Sequence, residues 1–69
     1  MFNRKQFSQD LFMYRNSKGL SRATAAKEIG INKSTVQTLE ENVHEPRISV
    51  YYLCVRWMGK QTDFYFINN

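Results

Sequence analysis

The 69 residues hold one cysteine, one histidine, one proline and three glycines, and each scarcity closes off a class of protein. A lone cysteine, Cys54, cannot form an internal disulfide. The chain is therefore expected to work in a reducing cytosol, with Cys54 as a small buried hydrophobe. His44 stands ten residues from that cysteine, with metal-ligand spacing to no partner, so a metal site is not expected. No apolar run approaches the roughly 20 residues of a membrane span, and no basic-then-apolar leader opens the chain. No Gly-rich loop is present to cradle a phosphate, and the serines have no base beside them. Glu40 and Glu41 would point about 100° apart on a helix, which is the wrong geometry for a general acid–base pair. Enzymatic chemistry, cofactors and small-molecule ligands are consequently not expected. Repeats and low-complexity stretches are absent.

What is there is short, apolar enough to fold, and basic. Residues 1–69 read as one domain, because a chain this size buries only about 60% of its unfolded surface and has no room for a deep pocket. An apolar content of 42%, with 14% aromatic, is well above disordered composition. The net charge of +4 is unevenly spread. Residues 1–35 carry seven cations against Asp10 and Glu28, which is +5, whereas residues 36–69 carry Arg47, Arg56 and Lys60 against four acids, which is −1. A basic half points to a polyanionic partner.

The apolar spacing predicts short helices separated by tight breaks. Phe7, Leu11 and Tyr14 form one stripe of a first helix over residues 4–17, with Asn3 as its N-cap and Gly19 at its left-handed end. Ser21 opens a second helix whose apolar positions are Ala25, Ala26 and Ile29, and Gly30 stops it. Asn32 caps a third helix over about 33–41, which faces Val36 and Leu39 inward and ends at Asn42. Two helices so closely joined form a helix-turn-helix, over about residues 21–41. The outer first turn of the third helix carries Lys33, Ser34, Gln37 and Thr38. Their side chains can reach base edges: lysine to guanine, glutamine to adenine, serine and threonine to either.

Residues 4–66 resemble the lambda-repressor-like helix-turn-helix family, the Cro/repressor and xenobiotic-response-element class of small DNA-binding regulators. The resemblance runs through Arg15, Gly19-Leu20-Ser21, Ala26, Gly30-Ile31-Asn32-Lys33-Ser34-Thr35-Val36, Leu39-Glu40, Pro46 and Met58-Gly59. It implies an all-α, five-helix DNA-binding domain whose third helix enters the major groove of double-stranded DNA. Lys33, Ser34 and Thr38 would read bases, with Thr35 and Gln37 beside them. Ser21, Arg22, Asn32, Asn42, His44 and Arg47 would hold phosphates. Arg15 and Glu40 sit where family members carry a structural ion pair. Val43 and Glu45 stand where the family often has lysine or arginine, which leaves Arg47 to supply the loop clamp.

The last third admits two readings. Ile48, Tyr51, Val55 and Met58 lie at helical spacing, with Thr62 capping a last turn that carries Phe64, Phe66 and Ile67. The β-forming residues of 48–57 could instead pair with 62–67 as a hairpin, giving the α+β ending of some Cro proteins. Tyr51, Val55, Met58 and Phe64 are expected to complete the core. The aromatic excess of Tyr52, Trp57, Tyr65 and Phe66 suggests that residues 48–67 also form a dimer interface. A twofold dimer would set two recognition helices about 34–36 Å apart. The functional expectation is a cytoplasmic, nucleoid-bound transcriptional regulator of the Cro type. It would repress from an inverted-repeat operator of a phage or mobile element. The alternative is an antitoxin-like or adaptor module that holds a protein on the same frame.

Overall fold

Four helices follow one another in the computed structural model, which describes residues 2–66: α1 (Arg4–Ser17), α2 (Arg22–Ile29), α3 (Lys33–Glu40) and α4 (Ile48–Trp57). Their boundaries are set by local chemistry. The Asn3 side chain accepts from Gln6 N at 3.1 Å and so starts α1. Ser21 Oγ does the same for α2, accepting from Thr24 N at 3.1 Å. Asn32 occupies the N-cap position of α3, but its side chain makes no capping bond, contrary to the role expected of it.

The break between α2 and α3 depends on Gly30. Its φ of +96° lies in the left-handed region, where a Cβ is strained. There Gly30 N and Ile31 N both donate to Ala26 O, at 2.8 and 3.0 Å, which closes the end of α2 and turns the chain into α3 within three residues. Asn42, with φ of +57°, plays the corresponding part after α3.

The core is assembled from every helix: Phe7 and Leu11 of α1, Ala26 and Ile29 of α2, Val36 and Leu39 of α3, and Tyr51, Cys54 and Val55 of α4, with Met58 and Tyr65 beyond. Burial also explains Cys54, whose thiol is desolvated and pushed up to about 12. It is an inert core residue.

Residues 48–57 are helical, so the hairpin reading does not hold. Among the described residues there are four helices where five were expected. The segment 62–65 is a run of turns, and Phe66 then pairs with Phe2 in an isolated antiparallel bridge. Ile67 lies outside the described residues. Tyr65 was expected at a dimer surface, but it is 1% exposed. Its ring packs edge-on against Phe7, and its hydroxyl donates to Asp10 Oδ2 at 2.7 Å. Phe64, expected in the core, is 53% exposed instead. The two positions are exchanged because the turn at 62–65 has no helical period to place them.

Candidate nucleic-acid interface

The α3 helix has only one side to spare for the core. Val36 and Leu39 are its buried residues, and they leave Lys33, Ser34 and Gln37 exposed, with Thr35 and Thr38 half-buried along the edge. The loop after α3 folds back beside this edge. Val43 N donates to Thr38 O at 3.2 Å, which ties the loop to the helix. An open cavity of about 430 Å³ results, lined by Asn32, Ser34, Thr35 and Thr38 from the helix and by His44 and Arg47 from the loop. Glu45 lines it too, so the cation of Arg47 is partly offset there. Lys33 and Gln37 stand outside this concavity on the same helix.

Several of these side chains are already engaged. Thr38 Oγ1 donates to Ser34 O at 2.9 Å, which fixes its rotamer and leaves its lone pairs as the free functionality. Gln37 Nε2 donates to Glu41 Oε2 at 3.2 Å, one turn along. Ser21 Oγ accepts from Thr24 N and donates to Thr24 Oγ1 at 3.0 Å, so its hydroxyl is spent within α2. Asn42 Oδ1 is buried without a hydrogen-bond partner, so of its amide only the nitrogen suits a phosphate.

Behind α3 lies a charged cluster. Glu40 has its side chain 1% exposed, and it accepts from Arg15 twice: Nε to Oε2 at 2.6 Å and Nη2 to Oε1 at 2.9 Å. Arg15 Nη1 donates onward to Leu20 O at 2.8 Å, so α1, the α1–α2 connection and α3 meet at one guanidinium. The hydrogen bonds and charge of Glu40 outweigh burial and raise the Arg15 pKa. The sequence does not reveal the third member. Arg22 Nε donates to Glu40 Oε1 at 3.1 Å, with its side chain 32% exposed.

The aromatic residues divide. Tyr52 and Phe66 are exposed, at 46% and 42%, whereas Trp57 is half-buried and engaged within the chain. Its Nε1 donates to Glu28 Oε1 at 3.0 Å, and its ring meets Tyr14 edge-on at 4.9 Å, which argues against the interface role expected of it. Phe66 and Ile48 border a smaller, mostly apolar cavity of about 150 Å³ with Phe2, Pro46 and Tyr51, which Glu45 also lines. Among the described residues no group of three or more histidine, cysteine or acidic side chains could hold a metal. Among those residues, no helix is long and apolar enough to cross a membrane.

Comparison with known proteins agrees with this geometry. The helix-turn-helix family model HTH_3 matches residues 11–64. The fold is similar to a crystal structure of an HTH_3 family transcriptional regulator from Vibrio cholerae, with a TM-score of 0.75 at 22% identity over 93% of this chain. The chain spans 36% of the length of that regulator. No match was found among curated protein sequences. With four helices, a glycine-turned helix pair and a family model covering most of its length, the chain belongs to the HTH_3 helix-turn-helix family, of the lambda-repressor-like kind.

Proposed function

We propose that the chain is a sequence-specific regulator that reads operator DNA in the major groove with α3 and binds as a homodimer. The observation that carries this reading is the division of α3. Val36 and Leu39 are buried, Lys33, Ser34 and Gln37 are exposed, and Thr35 and Thr38 border them half-buried, beside a loop bearing Arg47. A helix held this way can lower its N-terminal turn into a groove about 12 Å wide while the flanking loop meets the backbone.

Ser34 and Thr38 are then the direct base contacts, with Lys33 reaching guanine and Thr35 and Gln37 completing the surface. Arg22, Asn32, His44 and Arg47 take phosphates through their side chains. Asn42 contributes its amide nitrogen, and Ser21 its backbone N–H at the start of α2. Exposed Tyr52 and Phe66, with exposed Ile48 at the start of α4, form the dimer surface. Repression of a Cro-like kind, by occupying a promoter in the cytoplasm, asks nothing further of these residues.

The test is selection from a pool of randomised duplexes. Enrichment of an inverted repeat, with half-sites about 10–10.5 base pairs apart, is the expected result. A pool that stays random after repeated rounds would refute sequence-specific reading. Enrichment of a single half-site would refute the dimer alone.

A further inference from the structure

Arg22 stands at the first position of α2, and its Nε–H is directed at a carboxylate on the far end of α3, eighteen residues away. The charge of that carboxylate is already balanced by Arg15. Glu40 takes two bonds from Arg15, and its side chain is 1% exposed. A second arginine on the same oxygen pair adds a formal positive charge to a buried cluster, a poor arrangement if fold stability were its only purpose. We infer that Glu40 is the positioning residue for Arg22: it fixes the guanidinium by its Nε edge so that the Nη edge is presented to a DNA phosphate. This rests on the DNA-binding reading above.

Chemistry and geometry agree on this role. A guanidinium carries five N–H donors in a rigid fork, so one edge can be spent on a carboxylate while the other receives an anion. All three nitrogens of Arg15 are engaged within the chain, whereas Arg22 donates only through Nε and its side chain is 32% exposed, against 10% for Arg15. Fixing the fork beforehand removes part of the rotamer entropy that a free arginine loses on binding. The same carboxylate belongs to α3, so the phosphate contact and the reading helix are held in one register.

The experiment measures affinity against salt for wild type, Glu40→Gln and Arg22→Lys on the duplex selected from the randomised pool, with folding checked by circular dichroism. Glu40→Gln raises the net charge from +4 to +5, so charge alone would tighten binding. Positioning gives the opposite result. One phosphate contact is lost and the log–log salt slope falls by about 0.9, which is roughly a three- to fourfold smaller loss of affinity between 50 and 200 mM salt. A folded Glu40→Gln protein with wild-type slope and equal or tighter binding overturns the inference. Arg22→Lys keeps the charge but replaces the rigid fork with a rotatable ammonium that Glu40 cannot aim at the phosphate, so the same drop in slope is expected there. It decides the matter if Glu40→Gln does not fold: wild-type slope and affinity with lysine overturn the inference. If wild type itself shows neither duplex binding nor salt dependence, the DNA-binding reading has failed instead.

Discussion

Thr38 directs its hydroxyl hydrogen to Ser34 O, so what it offers a base is a lone pair. It should therefore favour a base with an exocyclic amino group, adenine or cytosine, at the position it meets. Thr38→Val keeps the shape and removes the acceptor, and should relax discrimination there by about 1–3 kcal/mol, whereas Thr38→Ser should keep it. Competition among four duplexes differing at that position measures this, and unchanged preference in the valine variant would refute the acceptor role. Arg15 gives a stability prediction at the same scale. Its replacement by alanine leaves Glu40, 1% exposed, with Arg22 as its one arginine, and should cost about 3–5 kcal/mol in urea melts. A loss under 1 kcal/mol would place the pair among exposed ion pairs in energetic terms. The resemblance put Arg15 and Glu40 at paired positions, but nothing in the sequence pointed Arg22 toward Glu40. A contact between residues eighteen apart depends on how two helices cross, and side-chain period does not encode that.

At the scale of the element, what is local was legible. Asn3, Ser21 and Gly30 mark their helix ends in the sequence because a cap or a left-handed turn involves only the next few residues. Ser21→Ala should cost about 1 kcal/mol, and Asn32→Ala, which removes no capping bond, only a few tenths. Equal losses in thermal melts would contradict that distinction. Gly30→Ala should cost about 1–2 kcal/mol from backbone strain alone, since a Cβ there meets nothing within 4 Å. The segment 48–57 was ambiguous for the converse reason. Its residues are nearly all apolar or β-forming, so neither period stands out, and α4 is chosen by the core it fills with Tyr51, Cys54 and Val55. The turn at 62–65 hid the exchange of Tyr65 and Phe64 between core and surface in the same way.

Across the whole molecule, the core brings together groups that resist ionisation. Burial pushes the Cys54 thiol up to about 12 and raises Tyr51 and Tyr65 above their ordinary range, with Asp10 adding to Tyr65. In the unfolded chain these groups ionise near their ordinary values, about 9 for the thiol and 10 for the phenols. Above those values the native chain binds more protons than the unfolded one, so stability falls as pH rises. The contribution is full below pH 9, and between there and about 12 the thiol alone should erode stability by about 1.4 kcal/mol per pH unit. Urea midpoints at pH 8 and pH 11 test this: Cys54→Ala should be less stable at pH 8 but lose less on going to pH 11. An equal alkaline loss in both proteins would contradict the assignment. The uneven charge read from the sequence also acquires a place. Lys33 lies on α3 and Arg22 beside its far end, while Glu45 stands by Arg47 in the cavity and reduces the field there. Affinity should thus depend on individual contacts more than on the net +4. The most direct test is a titration of the selected duplex and a shuffled duplex of equal composition at several salt concentrations. The account predicts that binding to both weakens steeply with salt, and that the selected duplex binds about 10³-fold or more tighter throughout. Equal affinity for the two duplexes would contradict it.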